Sequence, residues 1–286
     1  MQTLSVVVIT RNEERKLRRC LDPVSWADDI VVVDSYSTDA TVEIAESYAS
    51  RVFRRAWSGF ADQRNFGMEQ ARGEWILFLD ADEYVTGGLE KRIRALLRDG
   101  GDCDAYKIHR LEHFLRFPIR HGTLNPSYQP RLLRKGKGYW TGGAHAHIEV
   151  DGHGELGLIH EDLYHDSHNS LSDFIARINL YTTVDAEERI LAGQRVGRLR
   201  LVLSPVGMAW KCYIVKKGYR DGFPGLLFSL CMGIYSFLRL VKVWQHGSRV
   251  KERTGGRAKD SPEGRVKENM EGRAKDSPEG RAQSPS

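Results

Sequence analysis

Residues 77–85 read Leu-Phe-Leu-Asp-Ala-Asp-Glu-Tyr-Val, an apolar run that ends abruptly in Asp80, Asp82 and Glu83. The segment before it, Glu74 to Leu79, has the pattern of a buried strand bounded by Gly73. Carboxylates at i and i+2 after a strand point to the same side, at the carboxyl edge of a sheet. In open α/β sheets that edge is where ligands bind. Two hard oxygen ligands there suit Mg²⁺ or Mn²⁺ against a diphosphate, with phosphate and water completing the coordination. Alone, an Asp-x-Asp is no more than an acidic turn after a strand, so its meaning depends on its neighbours.

Those neighbours are three further polar segments. Thr10-Arg11-Asn12-Glu13 follows a first apolar run, Leu4 to Ile9, and Asp34-Ser35-Tyr36-Ser37-Thr38-Asp39 follows a second, Ile30 to Val33. Gln63-Arg64-Asn65 opens a segment with helical character. Asp34 can accept bonds from a base or ribose, and Arg64 can neutralise a diphosphate. Three of the four segments sit at carboxyl ends of predicted strands, so one crevice can collect them into a nucleotide-diphosphate site.

The elements that must position these groups alternate strand and helix over residues 1–110, which predicts a parallel sheet with covering helices. Asn12 is read as the N-cap of a helix over Glu13 to Leu21, Ser37-Thr38-Asp39 as the start of a second, and Arg51 to Arg54 as a short third strand. No GxGxxG follows the first strand and no GxxxxGK[ST] occurs, which argues against a dinucleotide fold and a P-loop NTPase. Residues 111–200 are more polar and hold eight of the ten histidines, with a helix predicted over Ser170 to Ala192. Residues 201–246 turn apolar and basic. Phe223 to Leu238 is sixteen residues without a charge, about 24 Å of helix against a hydrocarbon core of roughly 30 Å. An in-plane or re-entrant membrane anchor is the preferred reading there. From Gly256 the octads GRAKDSPE, GRVKENME and GRAKDSPE repeat, then GRAQSPS, and the tail 247–286 is expected to be disordered.

The 286 residues carry 43 Lys+Arg against 38 Asp+Glu, a net charge of +5 that suits an anionic membrane surface or phosphorylated substrates. No helix-turn-helix, zinc module or RNA-binding signature is present, so nucleic acid is not expected as a partner. The four cysteines show no CxxC spacing and fit a reducing compartment. The first strand begins almost at once, leaving no room for a secretory signal and predicting a cytoplasmic protein at the inner face of the cell membrane.

SVVVITRNEE, VVVDSYSTDAT, QRNFG and WILFLDADEYV together resemble family 2 glycosyltransferases of the GT-A fold. NPSYQPRLLRKGKGYW and the apolar C-terminal segment extend the likeness to the bacterial branch that adds a sugar, often glucose, to the inner core of lipopolysaccharide. The resemblance covers roughly residues 4–245. It implies an α/β, Rossmann-like nucleotide-diphospho-sugar transferase fold, with residues 1–110 binding the nucleotide sugar, 111–200 the acceptor, and 201–246 the membrane. It further implies inverting transfer from a UDP-sugar to a lipopolysaccharide-core or related glycolipid acceptor. Thr10, Arg11, Asn12, Glu13, Asp34, Ser35 and Ser37 would then hold the nucleoside, and Arg64 would approach the diphosphate. Asp80 and Asp82 would manage metal and donor sugar; His165, read from the sequence and not from the resemblance, is a candidate further ligand for metal or phosphate.

The acceptor hydroxyl needs a carboxylate base. The branch carries His-Glu where this chain has His145-Ala146. Asp162, Glu149 and Glu161 are the replacements in reach of the sequence, with Asp162 preferred. His145 and His147 are candidates for phosphate or metal, and Arg131 and Arg134 for a phosphorylated acceptor. The missing glutamate leaves two alternatives standing: transfer to a polyprenyl phosphate carrier, whose acceptor oxygen is already anionic, and a non-catalytic nucleotide-sugar-binding protein. A nucleotidyltransferase is disfavoured because no Gly-rich, Lys/Arg-containing loop follows the first strand.

Overall fold

The computed structural model describes residues 2–48, 51–143, 146–153, 156–168 and 170–259. In chain order the elements are β1 (Leu4–Thr10), α1 (Leu17–Leu21), β2 (Asp29–Asp34), α2 (Thr41–Ser47), β3 (Arg51–Arg54), α3 (Phe60–Gln70), β4 (Trp75–Asp80), β5 (Glu83–Val85) and α4 (Gly87–Asp99). There follow β6 (Ala105–Phe114), β7 (Phe117–Pro118), β8 (Tyr128–Arg134), β9 (Gly138–Thr141), β10 (His147–Val150), β11 (Leu156–His168), α5 (Leu171–Leu191), α6 (Arg198–Trp210) and α7 (Gly222–Lys259).

One sheet runs in the order β3-β2-β1-β4-β8-β6-β11-β5, with β7 beside β6, and β9 and β10 form a separate pair. The first four strands are parallel, as the strand–helix alternation predicts; β8 then enters antiparallel to β4 and to β6. The chain winds outward from β1 to β3 and returns to β4 on the other side of β1. The carboxyl ends of β1 and β4 therefore flank a topological switch point, the place where a crevice opens in such sheets. The sheet continues through β6, across the residue-110 boundary expected between donor and acceptor halves.

The continuous apolar runs are explained by burial on both faces. Val6, Val8, Val32, Leu77 and Leu79 enter one core with Leu17, Ile44, Leu89 and Ile93 from α1, α2 and α4. Val7, Ile9, Val31, Val33, Ile76 and Phe78 alternate with them into a second core. There α3 crosses β1 so closely that a Cβ on Gly67 would stand 2.4 Å from Val7 Cγ1. Gly67 thus sets the depth at which α3 carries Arg64. Gly67→Val is expected to cost about 1–3 kcal/mol by overpacking, read as a lower denaturation midpoint.

The N-terminal helix starts later than predicted. Asn12 adopts φ 53° and caps no helix; its Oδ1 accepts the Thr38 N–H at 2.8 Å, and α1 begins only at Leu17. The side chain is drawn across to the β2 loop, so the four residues after it form turns.

By its contacts the chain divides into two compact units, Met1–Ile175 with Trp210–Leu230, and Ala176–Ala209 with Cys231–Ser286. The predicted helix over Ser170 to Ala192 is α5. Helix α7 runs to Lys259. The octad residues beyond it, like His145, lie outside the described residues.

Candidate active site

Building from β1 and β2, the loop that follows each strand is laced to the other. Thr10 pairs in register with Asp34. The Asn12 N–H donates to Ser37 Oγ at 2.8 Å, and Ser37 Oγ–H donates in turn to Asp34 Oδ1. Ser37 N–H reaches Asp34 Oδ2 at 2.9 Å, and Glu13 N–H reaches Thr41 Oγ1 at 2.8 Å. Asp34 and Ser35 are buried, whereas Arg11 and Asn12 are exposed. Between them Tyr36 holds φ 56° with its ring 57% exposed. A bulky aromatic kept in the left-handed region beside Asp34 is a strained, outward-facing residue that the sequence reading passed over.

At the end of β4 the charges form a chain of alternating sign. Arg64 Nη2 lies 2.6 Å from Asp80 Oδ1, and Arg131 Nη2 lies 2.8 Å from Asp80 Oδ2. Arg131 also holds both oxygens of Glu83, each at 2.8 Å. Arg110 stands 3.7 Å from Glu83 and 2.7 Å from Glu112, and Glu112 is 2.6 Å from His165 Nδ1. His165 Nε2 faces Asp82 Oδ1 at 3.4 Å; Lys16 Nζ is 3.8 Å from Asp82 Oδ2 and 3.3 Å from Glu13. Five cationic and five anionic groups thus neutralise one another in a largely buried row. Lys16, Arg110 and Glu112 were not singled out from sequence, and Glu83 only as the end of the acidic run, because nothing local marks their partners.

This environment sets protonation. Burial works against the His165 cation, but Asp82 and Glu112 outweigh it and push its pKa up to about 10. Burial likewise opposes ionisation of Asp80, and Arg131 and Arg64 overcome it, leaving the carboxyl below its ordinary range. Burial lowers the pKa of Arg64, with Asp80 opposing. For Arg131 the nearby Glu83 and Asp80 prevail over burial, and its pKa is raised.

Around Arg64 several buried polar atoms have no hydrogen-bond partner among the described residues: Arg64 Nε, Gln63 Oε1, Trp140 Nε1 and, at the end of β1, Thr10 Oγ1. Trp140 stacks 4.4 Å from the Arg64 guanidinium and is fixed by Asn65, whose side chain exchanges two 2.8 Å bonds with its backbone. The Gln-Arg-Asn order on α3 therefore tethers β9 as well as presenting a charge.

Several expected roles do not fit their positions. Asp80, expected beside a metal, has each of its oxygens bonded to a guanidinium group. Arg131 is 3% exposed and enclosed by Glu83 and Asp80, not turned toward an acceptor. Arg134 pairs in register with Trp75, at the opposite end of β4 from Asp80, because β8 runs antiparallel. There it contacts Asp104 and the Gly100 carbonyl.

The three carboxylates considered as base also stand elsewhere. Asp162 pairs in register with His109 and His165 with Glu112, three residues on along both strands, so strand alternation puts Asp162 on the other face from His165. Its oxygens contact His109 Nδ1 at 2.8 Å and Arg120 at 3.3 Å. Glu149 is exposed and accepts from Tyr139 at 2.5 Å, while its strand neighbour Ile148 pairs with Trp140; the hairpin turns Glu149 away from the Arg64 side. Glu161 lies beside the first turn of α4, its Cγ 3.9 Å from a Cβ built at Gly88. His147 is exposed, 3.8 Å from Glu149.

Among the described residues no three His, Cys, Asp or Glu side chains form a metal cage by themselves. Asp82 and His165 nonetheless fit a shared cation. Their facing atoms are 3.4 Å apart, and Glu112 on Nδ1 gives the carboxylate–histidine support that such ligands use.

A sheet with a switch point at β1 and β4, an aspartate at the end of β2 and an Asp-x-Asp after β4 defines a nucleotide-sugar transferase of the GT-A class. The family model described as "Glycosyl transferase family 2" matches residues 5–147, and the chain belongs to that family. It is 26% identical over 248 residues to the lipopolysaccharide core biosynthesis glycosyltransferase LpsC of Rhizobium meliloti, covering 85% of this chain and 92% of that one. It is also 26% identical over 263 residues to an uncharacterized glycosyltransferase of Rickettsia felis, covering 85% and 90% respectively. Among solved structures it is similar to Staphylococcus aureus TarS 1-349 in complex with UDP-GlcNAc, with 16% identity, a TM-score of 0.43 and coverage of 88% and 92%.

Proposed function

We propose that this glycosyltransferase moves a hexose, glucose foremost, from a UDP-sugar to a lipopolysaccharide-core or related glycolipid acceptor, with inversion and with Mg²⁺ or Mn²⁺. The observation that carries the reading is the division of labour after β4. Asp80 fixes Arg64 and Arg131, while Asp82 faces His165 at 3.4 Å, a separation compatible with two ligands of one ion. The similarity to LpsC along most of both chains supports the acceptor class.

Asp82 and His165 would hold the cation, and when bound it stabilises the charge that develops on the departing diphosphate. Arg64 adds a positive charge at the same edge, and its Nε and Trp140 Nε1, without hydrogen-bond partners among the described residues, are buried donors that anionic oxygens satisfy. The Asn12–Ser37–Asp34 relay holds the two loops that frame the nucleoside. Glu112 orients His165 through Nδ1. The test is UDP release from UDP-, GDP- and ADP-sugars with Mn²⁺ and core oligosaccharide. Turnover only with a UDP-sugar, abolished by chelator, is expected; equal turnover in chelator would refute the metal reading.

His165 adds a readout that needs no turnover. Its pKa of about 10 in the metal-free protein lies above the ordinary 6.5. Its contribution to stability is therefore complete below pH 6.5 and is lost as pH rises through about 10. A cation ligated by Nε2 must displace that proton. Titrating Mn²⁺ at pH 8 in buffers of different ionisation enthalpy is expected to show about one proton released per ion, and none in His165→Gln.

A second reading has its own support. With Asp162, Glu149 and Glu161 held elsewhere and Ala146 in place of the expected glutamate, an acceptor already anionic, such as a polyprenyl phosphate, needs no base. Parallel assays with core oligosaccharide and undecaprenyl phosphate decide between the two acceptors. UDP-sugar binding without turnover on either would leave a non-catalytic binding protein.

A further inference from the structure

The second unit is built inside out for water. Among its described residues more large apolar side chains are exposed than buried, and α6 buries none of its own. On α6, Leu199, Val202, Leu203, Val206 and Trp210 recur at helical spacing on one face, each more than half exposed. The opposite face is already taken. Ser204 Oγ lies 3.3 Å from Ser236 Oγ, and a Cβ on Gly233 would stand 3.0 Å from the Pro205 carbonyl and 3.3 Å from Ala209 Cβ, so α6 packs on α7. A helix apolar on every side belongs in a core or in lipid.

Charge identifies the occupant. From Ile190 to Arg220 the chain has no Asp or Glu and carries Arg195, Arg198, Arg200, Lys211, Lys216, Lys217 and Arg220. An apolar stripe with basic residues at both ends matches an anionic bilayer surface, where the stripe meets acyl chains and the cations meet headgroups. The same segment of a second copy would oppose it with the same positive charge, which disfavours self-association through this face.

The stretch long and apolar enough to cross a membrane, Gly218–Gln245, begins one turn before α7 and continues into it. Its surroundings argue against a crossing. In the first unit Phe228 is buried with its ring 5.5 Å from Phe114 of β6. In the second, Arg239 pairs with Asp185 at 3.1 Å and Lys242 bonds the Asn179 carbonyl at 2.6 Å, which sets α5 antiparallel to α7. The exposed Glu187 and Glu188 of α5 consequently lie toward the middle of the candidate span. A crossing would carry those carboxylates into hydrocarbon. α6, 13 residues and about 20 Å long, is too short to cross and suited to lie flat.

We propose that α6 docks this chain on an anionic bilayer, lying in the membrane plane with its Leu199–Trp210 stripe among the acyl chains, and that α7 does not cross. The test is flotation of the full chain with phosphatidylcholine vesicles, with and without phosphatidylglycerol. Binding to the anionic vesicles alone, weakened by salt and reversed by alkaline carbonate, is expected. Val202→Asp with Val206→Asp, and separately the exposed pair Arg198→Glu with Arg200→Glu, should each lower the vesicle-bound fraction about tenfold or more with unchanged circular dichroism. The arginine pair keeps the test decisive if the aspartate variant fails to fold. Wild-type binding by the arginine variant, or by a folded aspartate variant, would overturn the proposal. So would carbonate-resistant association, or a detergent-free dimer that does not float.

Discussion

Asp82→Asn is expected to lower sugar transfer about 100- to 1000-fold while leaving the fold intact. The change is isosteric and removes one charge at a rim position whose side chain is 11% exposed. Lys16 lies 3.8 Å from one of the Asp82 oxygens, and the Asp82 charge is the first of those that, against burial, raise the pKa of His165. In the variant a divalent cation loses its anionic ligand and meets a neutral amide beside Lys16, so loss of metal affinity should accompany loss of turnover. Glu112→Gln tests the support behind His165 and should weaken the same metal affinity by about 10- to 100-fold. A metal-titrated progress assay and a calorimetric titration read the two variants. An Asp82→Asn enzyme that turns over normally at the same Mn²⁺ concentration would remove Asp82 from the site.

The parts of this site legible in the sequence are those encoded within a few residues. β1, β2 and β4 announce themselves because both faces are buried, so no charged residue interrupts Leu4 to Ile9 or Trp75 to Leu79. Asp34, Asp80 and Asp82 are then placed at carboxyl ends by their position alone. What fails depends on strand direction or on distant partners. Asn12 looks like a cap until Thr38, 26 residues on, claims its side chain. Arg131 and Arg134 look equivalent in Arg-Leu-Leu-Arg. Only the antiparallel entry of β8 sends one to Asp80 and the other to the far edge. Asp162 and His165 look like one acidic and imidazole cluster, and the two-residue period of β11 divides them between faces. Glu83 reads as the tail of an acidic turn, yet it is fully buried, because Arg131, 48 residues away, enters beside it.

That pair gives the largest expected effect on stability. Arg131→Met keeps much of the side chain's volume and removes its charge. Glu83 is then buried with Arg110 at 3.7 Å as its remaining cation, and Asp80 keeps only Arg64. Breaking a buried pair from one side is expected to cost about 3–5 kcal/mol, most of it the penalty of the abandoned carboxylate. If that is the origin, adding Glu83→Met to Arg131→Met should recover part of the loss, although the pair has been removed from both sides. Urea denaturation of the two single variants and the double variant measures the coupling directly. Additive losses would show that Arg131 contributes through packing on β8, and the alternating row of charges would then be a chain of independent contacts. A recovery would show that the arginine is held in place by the carboxylates. In that case the row fixes Asp80 and Arg64, and with them the strand end that carries Asp82 to its contact with His165.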